Sequence, residues 1–278
     1  MSITRTPAVA GMFYPADPRQ LAHEVQQLLA SAHPHALIPK ALIVPHAGYI
    51  YSGAIAATAY ATLHPIAAHI RRVVLLGPTH RVAVRGLALP EADAFDTPLG
   101  RVMLDTAAAR TIVHLPQVSV SAQAHALEHS LEVQLPFLQS ILPHFTLLPL
   151  AVGMASAEEV AEVLDALWGG EETLIVISSD LSHYLPYATA QRVDGETVQS
   201  ILDLHQPIAH EHACGGTPIS GLIVAAQKHQ LTPHLLDLRN SGDTAGPKNQ
   251  VVGYAALAFW SDGAAADKKP ADPEPSNG

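Results

Sequence analysis

The sequence is poor in cysteine and in basic residues. Its single cysteine, Cys214, cannot form an internal disulfide. Only 15 Lys and Arg oppose 25 Asp and Glu, the formal net charge is -10, and the basic residues form no run. A nucleic-acid backbone or an anionic membrane surface is therefore not an expected partner, since both are bound through clustered positive charge.

The sequence also lacks a long apolar stretch. No segment approaches the roughly eighteen consecutive apolar residues that a membrane helix needs, and residues 1–18 lack the apolar core of a secretory signal. Hydrophobic residues nevertheless make up 48% of the chain, enough to bury a sizeable core. These features predict a cytoplasmic protein with no membrane-bound part.

Strand-like and helix-like segments alternate along the chain. Apolar runs without polar alternation are typical of strands covered on both faces, and they occur at Ala41–Pro45, Arg72–Gly77, Phe145–Val152 and Leu174–Ser178. Two later runs, Leu235–Arg239 and Val251–Trp260, are also predicted strands. Helices are predicted at Pro18–Ala30, Gly53–Leu63, Glu128–Leu142, Ala157–Trp168, Ala188–Leu204 and Pro218–His229. This alternation predicts a mainly parallel central sheet flanked by helices.

The composition changes after Trp260. Residues 261–278 are rich in Pro, Ala, Gly and charged residues and cannot bury enough apolar area to order themselves. We therefore expect one α/β domain over residues 1–260 and a disordered tail over residues 261–278.

Three predicted strands are followed by side chains that could serve a site. His46 follows the first run, His80 the second, and Asp180 the fourth, with His183 three residues further on. In open α/β sheets, ligands bind beyond the carboxyl ends of the strands, so these side chains could meet in one crevice. Each histidine alone could instead bond a backbone carbonyl, because the chain holds 17 histidines and chance pairs are common.

The spacing of Asp180 and His183 is open to two interpretations. At i and i+3 they would lie on one side of a helical turn, with Asp180 orienting or ligating and His183 acting as acid or base. Alternatively, Asp180 caps a helix and His183 packs. Sequence alone does not separate the two.

Cys214 stands before two glycines and a predicted helix. The positive end of a helix dipole favours the thiolate, which makes a metal ligand or a nucleophile. The alternative is a plain buried cysteine.

The segment EHSLEVQLPFL opens with Glu128 and His129, which we predict to start a helix and to support the ligands or line the pocket rather than to bind the metal themselves. Acidic residues at that position could also serve only to complement the helix dipole. Tyr49 could line the pocket or pack in the core.

Five motifs, taken in order and spacing, resemble the Memo family over nearly the whole chain: PHAGYIYSG, LGPTH, EHSLEVQLPFL, SSDLSHY and CGGTPI. The resemblance implies a fold related to the class III extradiol dioxygenases, which use non-haem iron, and a metal site at His46, His80 and Cys214. It also implies that Asp180 and His183 line the same pocket. Prokaryotic members are similar to the Memo component of a system that contains a radical-SAM protein and a small partner domain.

Three functions follow as hypotheses. The first is a metal-dependent oxidoreductase that acts on a small substrate, aromatic substrates included. Iron is the favoured metal, and copper or zinc could compete for a site that contains a thiolate. The second is a non-catalytic module that binds a metal or docks a partner peptide. The third is a zinc hydrolase in which Asp180, His183 and a strand-end histidine bind zinc and Glu128 is the general base.

Overall fold

A computed structural model describes residues 3–33, 35 and 37–261. Apart from Ser261, the tail predicted over residues 261–278 lies outside these residues. Within the described part of the chain, no helix is both long enough and apolar enough to cross a membrane.

The structure contains twelve strands and eight α-helices over the described residues. The strands are β1 Thr4–Arg5, β2 Ala41–Val44, β3 Arg72–Pro78, β4 Leu87–Leu89, β5 Ala94–Thr97, β6 Gly100–Met103, β7 Val118–Val120, β8 Thr146–Val152, β9 Thr173–Ser178, β10 His183–Leu185, β11 Thr232–Asn240 and β12 Val251–Trp260. The helices are α1 Pro18–Ser31, α2 Tyr49–Ala61, α3 Thr106–Ile112, α4 Ala122–Ala126, α5 Leu135–Ile141, α6 Ala157–Ala166, α7 Tyr187–Leu202 and α8 Gly216–Lys228. Short 3-10 turns cover Glu132–Gln134 and Ser241–Asp243.

The main sheet is mixed. Its order is β10-β12-β2-β9-β3-β8-β4-β7, and β11 pairs with β12 as well. The central strands β2, β9, β3 and β8 run parallel, whereas β12 and β4 join them antiparallel. The predicted α/β class with a helix-flanked sheet is confirmed, and the parallel part is its centre. A second sheet contains β1, β5 and β6.

The central strands are apolar along their middle positions because both faces of the sheet are covered. In β2, Leu42 and Val44 belong to the core that packs on α1, α2 and α5, whereas Ala41 and Ile43 belong to the core on α6 and α8. Side chains alternate between the two faces of a strand. When both faces are buried, both sets of side chains are apolar and the sequence shows no polar alternation.

Two local predictions were wrong. The chain over residues 128–131 is not helical, and α5 begins only at Leu135, because Glu128 accepts hydrogen bonds from the backbone of His80 and Ser130 instead of starting a helix. Residues 180–183 form no helical turn either. That segment is extended and bonds to Gly253 of β12, through Leu181 N to Gly253 O at 2.8 Å and Gly253 N to Ser182 O at 2.9 Å.

Candidate metal centre

The carboxyl ends of β2, β9 and β3 lie side by side because these strands are parallel neighbours. His46, Asp180 and His80 each follow the last residue of their strand by two positions. The topology therefore delivers all three side chains to one edge of the sheet, as expected for a ligand site in an open α/β sheet.

Three imidazoles form a compact cluster at this edge. His46, His80 and His129 each offer one ring nitrogen, and these three atoms lie within 4.8 Å of one another. The ring centroids are 5.2 Å apart for His46 and His80, 5.4 Å for His46 and His129, and 4.6 Å for His80 and His129. His46 is only 1% exposed, whereas the side chain of His80 is 29% exposed, so the cluster opens to solvent on the His80 side.

Glu128 lies against two of the imidazoles. Its Oε1 is 2.9 Å from Nδ1 of His80 and 3.4 Å from Nδ1 of His129, and its Oε2 accepts the backbone N–H of His80 at 2.6 Å. Burial acts to raise the pKa of Glu128, but the hydrogen bonds and charge of His80 outweigh it and lower the pKa to about 2. The ionised carboxylate only accepts, so Nδ1 of His80 carries a proton, and the neutral form of this imidazole presents its lone pair at Nε2.

Burial also keeps the other two imidazoles neutral. Burial is the largest cause of lowering for both and the neighbouring imidazoles contribute as well, so that the pKa of His46 is lowered to about 3 and that of His129 to about 4. A neutral imidazole has a lone pair to offer, which is the state that binds a metal ion.

Cys214 lies beside the cluster, with its Sγ 3.4 Å from Nε2 of His46 and 3.6 Å from the carbonyl oxygen of Asp180. Burial, and then the charge of Asp180, raise the pKa of the Cys214 thiol to about 12. The prediction that the dipole of α8 favours the thiolate was therefore wrong, because desolvation outweighs the dipole.

Asp180 and His183 are placed differently. Asp180 is 4% exposed, its Oδ1 accepts the backbone N–H of His46 at 2.7 Å, and its Oδ2 lies 3.9 Å from Nε2 of His46. Burial raises the pKa of Asp180. His183 lies in β10, exposed beside Tyr184 with their ring centroids 5.8 Å apart. Asp180 thus supports His46 through the hydrogen bond to its backbone, whereas His183 is exposed at the surface.

Tyr49 is part of the packed core. It is 4% exposed, its hydroxyl donates to the carbonyl oxygen of Val133 at 2.8 Å, and its ring lies 4.9 Å from that of Phe137 and 5.7 Å from that of Tyr14. Every polar and apolar part of the side chain is therefore used within the fold.

Sequence reasoning missed the pair formed by Arg5 and Glu132. Arg5 donates to the carbonyl oxygens of His125 at 2.6 Å and Glu128 at 2.7 Å, and its Nη1 lies 2.7 Å from Glu132 Oε2. These bonds hold the loop that carries Glu128 and His129. The two partners stand 127 positions apart in the chain, and no local pattern links residues at such a distance.

A cavity lies at the opposite, amino-terminal edge of the parallel strands. It measures about 620 Å³ and is lined in part by Lys40, Trp168 and Thr173. The Lys40 ammonium donates to the carbonyl oxygens of Trp168, Gly170 and Thr173, so all three of its protons are used within the protein. The Lys40 ammonium is therefore not free to receive a ligand in this cavity.

A family model described as "Memo-like protein" matches residues 5–258 of the chain. A MEMO1 family protein of Aquifex aeolicus is 37% identical over 268 residues, covering 92% of this chain and 98% of the relative. A MEMO1 family protein of Methanosarcina barkeri is 37% identical over 270 residues, covering 91% and 98%. A third, of Metallosphaera sedula, is 32% identical and covers 92% and 99%.

Among solved structures, an uncharacterized protein from Escherichia coli K12 aligns with a TM-score of 0.49 and 14% sequence identity. The alignment covers 79% of this chain and 99% of that protein.

Proposed function

The chain belongs to the Memo family, and from this premise we propose that it is a metal-dependent oxidoreductase of the non-haem type that acts on a small substrate. We propose that His46, His80 and His129 hold a divalent ion. The observation that carries the proposal is the three-imidazole cluster, whose nitrogens lie within 4.8 Å of one another at the carboxyl edge of the parallel strands.

The donor set fits such an ion. Imidazole nitrogens suit iron, copper and zinc, and an imidazole must be neutral to bind a metal ion. Burial keeps His46 and His129 in this neutral form. A carboxylate that fixes the tautomer of a ligating histidine, as Glu128 does for His80, is a common support of metal sites. Iron is the ion we favour, and it would supply activation of oxygen and polarisation of the bound substrate.

Cys214 is suited to add a thiolate to the three imidazoles. A nitrogen at about 2.0–2.1 Å and a sulfur at about 2.3 Å from one ion stand about 3.5–3.6 Å apart at the tetrahedral angle. The 3.4 Å between Cys214 Sγ and His46 Nε2 is close to that separation. The thiol would lose its proton on binding.

Two further side chains complete the proposal. Asp180 holds the backbone of His46 and stands 3.9 Å from its Nε2, where it supports the ligand. His183 is exposed next to the extended segment from Asp180, and we assign it the movement of protons to and from substrate at the mouth of the site. A radical-SAM protein and a small partner domain are proposed partners on the family resemblance alone.

The first test is a metal analysis of protein purified without added metal and after anaerobic loading with Fe(II). We expect about one equivalent of ion in the wild type and its loss in His46→Ala. The matched control is His64→Ala, which replaces an exposed histidine outside the cluster and is expected to leave the ion in place. Retention of the ion by His46→Ala would contradict the proposed site.

The reaction class needs its own test. The Fe(II)-loaded protein is expected to consume oxygen when a small phenolic substrate is supplied, and His183→Ala is expected to consume it more slowly while keeping the ion. Absence of oxygen uptake in fully loaded protein across a set of such substrates would instead support the non-catalytic metal-binding module. The zinc-hydrolase hypothesis stays a prediction, and in the described part of the chain no hydrogen bond or ion pair joins Asp180 to His183.

The role of Cys214 gives a pH-dependent prediction. Because the thiol pKa is raised to about 12, binding through sulfur must release a proton, and the affinity for Zn²⁺ should rise about tenfold per pH unit between roughly pH 7.5 and 9. This window lies above the range in which an ordinary imidazole titrates. The measurement is a chelator-competition titration at several pH values.

Cys214→Ser is the matched variant for this titration. It is expected to bind more weakly and to lose the tenfold slope, because the serine hydroxyl keeps its proton. A slope that is equal in both proteins would remove Cys214 from the ligand set and leave the three imidazoles.

A further inference from the structure

A buried chain of hydrogen bonds leads from the hydrophobic core to His46. The hydroxyl of Tyr60 in α2 donates to Oε1 of Gln134 at 2.9 Å, and Nε2 of Gln134 donates to Oγ of Ser178 at 2.8 Å. Oγ of Ser178 lies 2.8 Å from Nδ1 of His46. Tyr60, Gln134 and Ser178 are 0% exposed, so water does not compete for these bonds. We call these three residues the polar chain.

The direction of every bond in the polar chain is determined by its partners. Nε2 of Gln134 also faces the carbonyl oxygen of Pro45 at 2.9 Å, and a carbonyl only accepts, so the amide nitrogen must point there and both of its protons are used. This fixes Oε1 of Gln134 toward the Tyr60 hydroxyl, which must donate.

Ser178 is left with one arrangement. A hydroxyl has one proton to donate and two lone pairs with which to accept. The proton goes to the carbonyl oxygen of Ser130 at 2.6 Å, and one lone pair receives the proton of Gln134. The remaining lone pair faces Nδ1 of His46, so that nitrogen must be the protonated one.

We propose that the polar chain sets the tautomer of His46, and that Ser178, Gln134 and Tyr60 are positioning residues of the metal centre. With the proton held on Nδ1, Nε2 of His46 presents its lone pair to the cluster, on the side where Cys214 lies 3.4 Å away. The role rests on the metal site proposed above, since the polar chain acts only through one ligand.

The polar chain also explains the motif EHSLEVQLPFL. Glu128 fixes the tautomer of His80, and Ser130 and Gln134 fix that of His46. Ser130 in addition donates its hydroxyl to the carbonyl oxygen of Pro78 at the end of β3. One short segment therefore determines the proton position on two imidazoles that arrive from different strands.

The test is the protonation pattern of His46, read by nitrogen-15 NMR of histidine-labelled protein without metal. The signals of His46 are assigned by their absence in His46→Ala. We expect a protonated Nδ1 and an unprotonated Nε2 in the wild type, and a mixture of tautomers in Ser178→Ala, in which Nδ1 has lost its acceptor. Ser220→Ala, which removes another buried serine hydroxyl bonded elsewhere, is the matched control and should leave the pattern unchanged.

Metal affinity is the second readout. Loss of a residue that orients a ligand typically weakens binding by about 10–100-fold, and we expect that range for Ser178→Ala. Gln134→Met keeps the volume but removes the N–H that holds the Ser178 oxygen against Nδ1 of His46, so about tenfold weaker binding is expected. Tyr60→Phe removes only the outermost bond and should weaken binding by less than either.

The two readouts separate the polar chain from the metal site. A protonated Nε2 in the wild type would overturn the role of the polar chain, even in a protein that binds metal. Wild-type affinity and an unchanged His46 pattern in Gln134→Met would also overturn it. The expected tautomer in a protein that binds no metal would uphold the role of the polar chain while refuting the proposed function. Urea unfolding curves of each variant show that it has folded.

Discussion

His129→Ala is expected to abolish stoichiometric binding of the metal ion, with the affinity falling by about 100-fold or more. Binding of a structural zinc ion is worth about 10–16 kcal/mol over four ligands, so one ligand accounts for roughly 3 kcal/mol, and about 1.4 kcal/mol is a factor of ten. His129 is one of three imidazoles whose nitrogens lie within 4.8 Å of one another. The measurement is a chelator-competition titration with Zn²⁺ or Fe(II).

This result separates two ligand sets. The family resemblance implies His46, His80 and Cys214, whereas the geometry adds His129. If His129→Ala binds as tightly as the wild type while Cys214→Ser does not, the set implied by the resemblance is correct and His129 only lines the pocket. His64→Ala again serves as the control, since it removes an imidazole at the surface.

Glu132→Leu is expected to lower the free energy of unfolding by about 3–5 kcal/mol, the usual cost of removing one partner of a buried ion pair. Glu132 is 0% exposed and bonds Arg5 at 2.7 Å, the backbone N–H groups of Ala8 and Val9, and the hydroxyl of Tyr14 at 2.6 Å. Without it, the charge of Arg5 stays buried with carbonyl oxygens and the ring of Phe95 as its partners. Urea unfolding measures the change.

A matched substitution tests the cause. Glu196→Leu breaks the exposed i,i+4 pair with Arg192 and should change the unfolding free energy little, because solvent already screens that pair. Adding Arg5→Met to Glu132→Leu should restore part of the lost stability, since the unpaired charge is gone. If the double variant is as unstable as the sum of the single ones, the loss comes from the backbone and Tyr14 bonds and not from the ion pair.

The strand ends were predictable from the sequence. A run such as ALIVP or RVVLLG is long enough for one strand, has no polar face, and is broken by proline or glycine, so its end is well marked. Parallel order then places His46, His80 and Asp180 at one edge without any knowledge of the loops. The predicted sheet and the proximity of the strand ends depend only on such local signals.

The segment from Glu128 was not predictable in the same way. EHSLEVQLPFL has acidic residues ahead of an apolar stretch, which is typical of a helix start, and the helix does form from Leu135 onward. Its first four residues are not helical because their polar groups bond to partners at the carboxyl end of β3, in β9 and in β1. Tertiary contacts override local preference there, and they involve residues far away in the chain.

The short strands were also missed. β4, β5, β6 and β7 have only three or four residues each, and β5 and β6 form a small second sheet with β1. A strand of that length shows too few positions for a pattern to stand out from a loop. The thiolate preference of Cys214 was wrong for another reason: sequence indicates a nearby helix end but not the burial that opposes charge.

The order of the central strands restricts when the site can come into being during synthesis. β2 and β3 follow one another in the chain and carry His46 and His80, but β9 lies between them in the sheet. A nascent chain that has been synthesised only as far as β8 contains both histidines. It lacks β9, the strand that lies between β2 and β3 in the folded sheet and sets the distance between them. We therefore expect a chain that stops before Thr173 to be unable to capture the ion, and loading in the cell to follow the release of nearly the whole polypeptide from the ribosome.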